Sequence, residues 1–536
     1  MFCMEKDEAS WNHDIETADR RIQPCEGLKT CRVRRSVPLY SLNLSQLGDP
    51  DGSAPTRSGA VHYPAAYLTA RCFPFFPLSN LNKFNTLSLR MHLRSLVASQ
   101  LLASAVARSI PRDLTIRQNT NTSAHTISLT ATLYGSRFHA PTTIGGETFS
   151  LLVDTGSSDT FVIEDDFECY TLIGTDETQR VSEDQCGYDD DAYSINDSTT
   201  YNRITNETFQ VQYAAGFARG VMATEDISLG GVEVTNQPFG LVDWSTTMGL
   251  GASGVLGLAY PIITSAYELN GTLDNENLTT QGEMEPYNPL FVNMYRRGLV
   301  APYFSLALAR LDSNQETGDG GSMVLGGLPD VSTSNNYTTV PAEFYDAADI
   351  RSANGTKVRS YWATTVDSIN YADDSYTTSY QTIIDSGAPV SSVPSSVSEA
   401  YNAAFDPPGT WSSYQQAYIV DCDATVPDFE VVLGGASFKA NTADMIIHTG
   451  QTYLGTELCL SAISPGLEMT DDPTDTAELY ILGASFLKSV VAVFDFGNSE
   501  MRFASREESG AAALSVLGSG RFLVLVVVGV VLQGIF

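Results

Sequence analysis

The sequence is organised around LLVDTGSS at residues 151–158, an apolar run that leads directly into Asp154 and a turn containing Gly156. A second run, TIIDSG at residues 382–387, repeats this plan around Asp385. Glycine in such a turn lets backbone N–H groups fold back onto a partly desolvated carboxylate. One turn alone is equally explained as an ordinary Asx-type turn. Two turns in matching strand contexts predict two halves that each supply one carboxylate.

Two carboxylates a few ångströms apart cannot both ionise, so the pair shares one proton. The ionised partner can then polarise a water molecule while the protonated partner donates to a carbonyl oxygen. Such a pair hydrolyses a peptide bond without a metal or a covalent intermediate. The sequence therefore predicts peptide or protein substrates, no cofactor and no metal.

These turns and other motifs in the same order resemble the pepsin-like aspartic proteases, over about residues 131–505. The other motifs are QYAAG at 212–216, the counterpart of the family's flap hairpin, and GVLGL at 254–258 and YILG at 480–483, strands that pass beneath the aspartates. The resemblance implies a mainly β, bilobal pepsin-like acid protease fold, with two β-rich lobes (131–303 and 304–505) and the active-site cleft between them. It also implies that Asp154 and Asp385 are the catalytic dyad of an aspartic endopeptidase.

The resemblance assigns roles to further residues on the same motifs. The hydroxyls of Thr155 and Ser386 are expected to cross-link the two turns, and that of Ser157 to bond Asp154. Four residues are expected to contact substrate, namely Tyr213 on the flap, Gly156, Gly387 and Gly216.

Three positions depart from the family pattern. Phe161 replaces a Trp whose ring N–H bonds the flap tyrosine, and phenylalanine cannot donate. Ala388 replaces a Thr or Ser that bonds the second aspartate, and Ala484 replaces a common Asp. Losing a hydroxyl donor raises the pKa of Asp385 and losing a carboxylate lowers it, so the net sign stays open. These departures support the alternative function, a catalytically silent binding or cell-wall protein on the same fold.

Composition narrows the class of partner. The chain has 536 residues and a formal net charge of −33. Such an acidic excess argues against nucleic acid as a partner and suits an enzyme that works in acid. We expect a monomer.

The eight cysteines divide evenly, with four before residue 90 and four in the protease-like region. The family resemblance implies the pairs Cys169–Cys186 and Cys422–Cys459, and hence an oxidising compartment. Zinc ligation is the alternative, although no His lies at ligand spacing in the sequence. The acidic segment 164–201 is interpreted as a solvated loop, with a calcium site at Asp189, Asp190 and Asp191 as the alternative. His139 is expected at the surface.

The first 130 residues are interpreted as three segments that precede the protease lobes. Residues 91–107 have the basic start, apolar stretch and small-residue end of a secretory signal peptide. Residues 1–90 are then an upstream extension, either disordered or an artefact of an over-extended gene model with Met91 as the true initiator. A buried helix in a real N-terminal domain is the alternative. Residues 108–130 are interpreted as a short propeptide or linker.

The carboxyl end, 506–536, is interpreted as a glycosylphosphatidylinositol attachment signal, because small residues and a spacer precede the apolar run 522–536. Ser509 and Gly510 are the expected attachment points, and a transmembrane tail is the alternative. Potential N-glycosylation sites occur at Asn196, Asn206, Asn270, Asn277, Asn336 and Asn354. Together these features predict a surface-anchored, yapsin-like enzyme that travels through the secretory pathway to the outer face of the plasma membrane or the cell wall.

Overall fold

Strands dominate the part of the chain that the structure describes, since β-branched and aromatic residues alternate there with polar ones. The computed structural model describes residues 123–507, apart from 174–176, 189–190, 214–215, 270–281, 334–335, 349, 414, 454 and 469–477. The predicted segments 1–90 and 91–107, most of 108–130, and nearly all of 506–536 with Ser509 and Gly510 lie outside the described residues.

The N-terminal half contributes ten strands, all of them in one sheet. They are β1 (His125–Thr132), β2 (Arg137–Ile144), β3 (Glu147–Asp154), β4 (Thr160–Ile173), β5 (Glu177–Arg180), β6 (Asn202–Gln212), β7 (Phe217–Leu229), β8 (Val232–Thr246), β9 (Gly254–Gly257) and β10 (Ala266–Glu268).

The C-terminal half contributes the remaining described strands. They are β11 (Tyr303–Leu308), β12 (Gly318–Leu325), β13 (Thr338–Pro341), β14 (Ala363–Val366), β15 (Ser368–Tyr371), β16 (Asp374–Tyr376), β17 (Tyr380–Ile384), β18 (Ser391–Val393), β19 (Thr410–Ser412), β20 (Ala417–Val420), β21 (Phe429–Leu433), β22 (Ala436–Lys439), β23 (Ile446–Tyr453), β24 (Thr456–Ser461), β25 (Ile463–Pro465), β26 (Leu467–Glu468), β27 (Glu478–Leu479), β28 (Ile481–Leu482), β29 (Val490–Asp495) and β30 (Glu500–Ser505). The described α-helices are short: α1 (Leu290–Arg296), α2 (Ser395–Ala403) and α3 (Ala484–Leu487).

One sheet of 15 strands runs through the N-terminal half and continues into the C-terminal half. The two halves join where β1 pairs with β12, and the sheet continues through β11, β29, β30 and β13. The other C-terminal strands form smaller sheets of five, four, four and two strands. The fold is therefore mainly β, with two β-rich lobes that share a sheet.

Each lobe repeats one arrangement of three strands around its aspartate. In the first lobe β9 lies between β3, which is parallel to it, and β4, which is antiparallel. In the second lobe β28 lies in the same way between β17 and β18. Both β9 and β28 come from the apolar-apolar-Gly motifs, and their glycines allow the close packing. A Cβ on Gly254 would lie 2.0 Å from the carbonyl oxygen of Phe161.

An aromatic cluster packs where the lobes meet. Trp362 lies at its centre, with its ring 4.8 Å from that of Tyr260 and 4.7 Å from that of Phe496. The Trp362 Nε1–H also donates to the carbonyl oxygen of Leu258, at 3.0 Å. The other members of the cluster are Phe291, Phe304 and Phe494. Each ring pair of this kind stabilises the fold by about 1 kcal/mol beyond the area that it buries.

Both predicted disulfides are confirmed. Cys169 pairs with Cys186 and Cys422 with Cys459, with Cα separations of 5.8 and 5.3 Å. The first connects β4 to a short 3-10 helix, and the second connects the end of β20 to β24. Each closes a loop whose constraint on the unfolded chain is worth about 3 to 4 kcal/mol in the chain-entropy account, with the larger value for Cys422–Cys459.

Three expectations differ from the structure. Strand β1 begins at His125, before the predicted lobe boundary at residue 131, because it pairs along β12. His139 is buried rather than exposed, since β2 lies between β1 and β3. The acidic segment after residue 164 is not all loop, because β4 continues to Ile173 and pairs with β5. Within the described ranges, no helix has the length and apolar character needed to cross a bilayer.

Candidate active site

The two predicted turns meet between the lobes. Asp154 ends β3 and is 6% exposed, and Asp385 directly follows β17 and is partly exposed. Glycine is required at this contact because the turns lie so close together. A Cβ on Gly156 would lie 2.4 Å from the carboxyl carbon of Asp385, and a Cβ on Gly387 would lie 2.6 Å from Asp154 Oδ1. The structure therefore brings the two carboxylates side by side.

Hydroxyl groups cross-link the turns beneath the carboxylates. Thr155 Oγ1 donates to the carbonyl oxygen of Ile384 at 2.8 Å and accepts the N–H of Ser386 at 2.9 Å. In the reverse direction, Ser386 Oγ donates to the carbonyl oxygen of Val153 at 2.6 Å and accepts the N–H of Thr155 at 3.1 Å. Thr155 and Ser386 are both buried, so these four hydrogen bonds fix the distance between the turns.

The two carboxylates have different hydrogen-bond donors. Asp154 accepts the Gly156 N–H at 2.8 Å on one oxygen and the Ser157 hydroxyl on the other. Asp385 accepts two backbone N–H groups on a single oxygen, from Gly387 at 2.8 Å and Ala388 at 3.2 Å. A side-chain hydroxyl thus supports Asp154, and only backbone supports Asp385.

This difference affects the proton of the pair. Burial, followed by the charge of Asp154 and a hydrogen bond between the two carboxyl groups, raises the pKa of Asp385 well above its usual value. The N–H groups of Gly387 and Ala388 lower it by less. Because the two carboxyl groups interact so closely, they share a proton and titrate as a pair.

The flap is the hairpin of β6 and β7, and Tyr213 and Gly216 exchange backbone hydrogen bonds near its tip. The ring of Tyr213 lies 6.4 Å from that of Phe161, and its hydroxyl donates to Ser157 Oγ at 3.4 Å. Burial and then the charge of Asp154 raise the pKa of Tyr213 well above its usual value, which keeps the phenol protonated as a donor. Phe161 cannot form a hydrogen bond with the flap tyrosine. Ser157 instead connects Tyr213 to Asp154, because it accepts from Tyr213 and donates to Asp154.

The other two departures from the family pattern lie next to each other. The carbonyl oxygen of Ala388 accepts the N–H of Ala484 at 2.8 Å, and Ala484 is buried. The Ala388 N–H is itself the second donor to Asp385. The backbone of this segment therefore still contacts the carboxylate where the side-chain hydroxyl is missing.

Sequence analysis did not single out Asp159, a buried carboxyl close to the dyad. Its Oδ1 accepts the Ser265 N–H at 2.9 Å and the Tyr287 hydroxyl at 2.8 Å. Its Oδ2 has no hydrogen-bond partner among the described residues. Burial raises the pKa of Asp159 to about 6, and the charge of Asp154 adds to this, although the bonds from Ser265 and Tyr287 oppose it. The signal available in the sequence was a second Asp directly after the motif 151–158, five residues after Asp154.

One group of metal-binding residue types occurs in the described part of the chain. His448 and Glu457 lie beside the disulfide of Cys422 and Cys459, with their ligand atoms within 4.8 Å of the sulfurs. No His lies at ligand spacing beside these cysteines in the sequence, but the pairing of β23 with β24 brings His448 next to Cys459 in the fold. Since the sulfurs are bonded to each other, they are not available as thiolate ligands.

Comparisons with known proteins agree with this geometry. The family model described as eukaryotic aspartyl protease matches residues 137–506. A protein of Aspergillus fumigatus named as a probable aspartic-type endopeptidase is 34% identical over 73% of this chain and 83% of its own length. Pepsin A of Bos taurus is 26% identical over 66% of this chain and 80% of its own length.

A solved structure supports the fold. The crystal structure of the aspartic proteinase from Irpex lacteus superposes with a TM-score of 0.53 and 16% identity, over 73% of this chain and 99% of that one. At that identity the likeness concerns the fold alone. Taken with the family model and the relatives, these findings show that the chain belongs to the eukaryotic aspartyl protease family and is a pepsin-like, aspartic-type endopeptidase.

Proposed function

We propose that Asp154 and Asp385 are the catalytic dyad of this endopeptidase and that the enzyme works in acid. The observation that carries the proposal is the cross-linked pair of turns, which holds the two carboxyl groups side by side. Two such groups share one proton, as the chemistry of a carboxylate pair requires.

The different hydrogen-bond donors of the two aspartates suggest which one acts as general acid and which as general base. Asp385, with its raised pKa, keeps the shared proton and donates it to the carbonyl oxygen of the scissile peptide. Asp154, which accepts hydrogen bonds from Gly156 and Ser157, acts as general base on a water held between the carboxyls. Activity then falls at high pH, where Asp385 loses its proton, and at low pH, where both carboxyls are protonated.

The substrate in this proposal is an extended peptide that lies across the cleft under the flap. The peptide backbone contacts Gly156 and Gly387 at the turns and Gly216 at the flap, three positions at which a Cβ would clash with neighbouring groups of the chain itself. Tyr213 covers the dyad from above and excludes water when the flap closes.

Secretion and surface anchoring form a second part of the proposal. Four of the N-glycosylation sites lie on exposed described residues, namely Asn196, Asn206, Asn336 and Asn354. Two disulfides suit an oxidising compartment. We propose that Ser509 or Gly510 carries a glycosylphosphatidylinositol anchor at the plasma membrane or cell wall and that the enzyme is a monomer in the manner of yapsin-type proteases.

The alternative of a catalytically silent protein rested on Phe161, Ala388 and Ala484. These substitutions leave both carboxyls and all four hydroxyl cross-link bonds in place. No observation in the described residues favours the silent alternative over the enzyme.

The test is cleavage of a quenched peptide library by the secreted protein between pH 3 and 7, with a statine-type inhibitor as reference. We expect Asp154→Asn and Asp385→Asn each to reduce kcat/KM by at least about a thousandfold, the scale of lost acid–base catalysis. Asp319→Asn is the matched control, because Asp319 also accepts the N–H of a glycine two residues later, Gly321, but lies exposed in β12. Undiminished cleavage by either dyad variant would contradict the assignment.

Membrane anchoring is measured on the full-length protein expressed in cells. We expect active full-length enzyme to sediment with membranes and to be released by a phosphatidylinositol-specific phospholipase. Enzyme that stays in the membrane after this treatment would instead indicate a transmembrane tail.

A further inference from the structure

Arg137 is a charged residue at the dyad to which the proposed mechanism gives no role. It begins β2 in the first lobe, and its guanidinium Nη1–H donates to the carbonyl oxygen of Gly387 at 2.5 Å, in the active-site turn of the second lobe. The N–H of the same Gly387 donates to Asp385. The cation of Arg137 is thus one peptide unit from a catalytic carboxylate.

Electrostatics places Arg137 within reach of both aspartates. Burial lowers the pKa of Arg137, whereas the charges of Asp385 and Asp154 raise it. An arginine stays protonated throughout the working range of such an enzyme. In a chain with 63 acidic and 30 basic residues, a positive charge therefore lies beside the two aspartates.

The contact with Gly387 engages only one of the N–H donors of this guanidinium. Arginine has five N–H donors in a planar fork. The bond to Gly387 is its only hydrogen bond among the described residues, and no described carboxylate forms an ion pair with it. Arg137 as a whole is partly exposed, and we expect a bound peptide to reach the donors that Gly387 does not occupy.

A carboxylate is the partner that matches this fork. Arginine binds a carboxylate through two parallel N–H···O bonds, which are stronger than bonds to a neutral carbonyl. We propose that Arg137 is a specificity-determining residue that binds an Asp or Glu side chain of the substrate, at a position near the scissile bond. This inference rests on peptide hydrolysis at the adjacent dyad.

The first measurement locates the substrate position. Purified enzyme is incubated with a library of decapeptides randomised at every position, and the cleaved bonds are identified by mass spectrometry at pH 5.5. We expect Asp and Glu to be enriched over Asn and Gln at one position near the cleaved bond. The same enrichment should be absent for Arg137→Gln.

The second measurement uses two peptides that differ only by Glu or Gln at that position. We expect the wild-type kcat/KM for the Glu peptide to exceed that for the Gln peptide roughly tenfold at pH 5.5, the scale of one charge-assisted pair. At pH 3.5 the ratio should fall towards one, because the substrate carboxyl, with a pKa of about 4.3, becomes neutral. Arg137→Gln should give a ratio near one at both pH values.

Two variants separate specificity from structure. Arg137→Lys keeps the charge but not the fork, so it should keep a reduced Glu preference. Arg359→Gln is the matched control, because Arg359 also donates to a backbone carbonyl, that of Ala342, at 2.5 Å and is partly exposed. It should leave the ratio unchanged.

A purely structural role for Arg137 would lower cleavage of both peptides equally and leave their ratio unchanged. That result, or a library profile of the wild type without acidic enrichment, would overturn the inference. Continued cleavage of the Gln peptide would show that hydrolysis at the dyad survives this failure.

Discussion

The two active-site turns share a backbone plan but differ in what supports their carboxylates. Both follow a strand paired in parallel with a central one, and each donates a hydroxyl to a carbonyl of the other half. Asp154 then gains the hydroxyl of Ser157, whereas Asp385 has backbone donors alone. A repeated scaffold therefore fixes the position of the pair, and a few residues around it give the two carboxyl groups different hydrogen-bond donors.

We expect the largest effect on stability and activity from removing one of the hydroxyl cross-links that both turns contribute. Thr155→Val keeps the shape but leaves the Ile384 carbonyl and the Ser386 N–H buried without their partner. Each such group costs about 1 to 3 kcal/mol. We expect the free energy of unfolding, measured with urea, to fall by about 3 kcal/mol and kcat to fall with it.

Thr142→Val is the control for this substitution. Thr142 is equally buried, but its hydroxyl donates only to the nearby carbonyl of Ala140, at 3.3 Å. We expect a loss below about 1 kcal/mol. Equal losses for the two variants would mean that the cross-link adds nothing specific.

A second prediction concerns a carboxyl that only the first turn has. Asp159 follows Asp154 by five residues, and Val390 stands at the corresponding place after Asp385. The pKa of Asp159 is about 6 in the folded protein against 3.8 ordinarily, so the folded state binds the proton more tightly. The contribution of Asp159 to the free energy of unfolding is therefore largest below about pH 4. It falls by up to about 3 kcal/mol as the pH rises to about 6.

Asp159→Asn removes this pH dependence. Relative to wild type, the variant should gain stability between pH 4 and pH 7 in urea unfolding curves. For Glu225→Gln we expect the opposite dependence of stability on pH. Burial raises the pKa of Glu225. Hydrogen bonds from Ser198, Thr200, Tyr193 and the Asp226 N–H outweigh burial and lower this pKa overall. Glu225→Gln should therefore lose more stability at pH 7 than at pH 4, and parallel pH profiles for both variants would contradict the assignment.

The smallest expected effect comes from making the two turns more alike. Ala388→Thr adds a hydroxyl donor beside Asp385, which favours its ionised form and lowers its pKa. The alkaline limb of the kcat/KM profile should move to lower pH by up to about one unit, equivalent to about 1.4 kcal/mol. Ala388→Val has the same shape without the donor. If both variants shift the limb equally, the missing hydroxyl does not set the pKa.

Local patterns explain what could be predicted from the sequence. Asp154 and Asp385 were visible because a buried strand, an acid and a glycine are adjacent in the chain, and the disulfides followed from the resemblance. The position of Arg137 beside the aspartates could not be predicted from the sequence, because its partner Gly387 lies in the other half of the chain. His139 was misplaced because its burial depends on the strands that flank β2 rather than on its neighbours in sequence.

The aromatic cluster around Trp362 has a mechanical consequence. Its rings come from both sides of the boundary at residue 303, and Trp362, Phe304 and Phe494 are almost completely inaccessible to solvent. Either half expressed without the other would present these rings to water, so we infer that the two halves unfold as one cooperative unit.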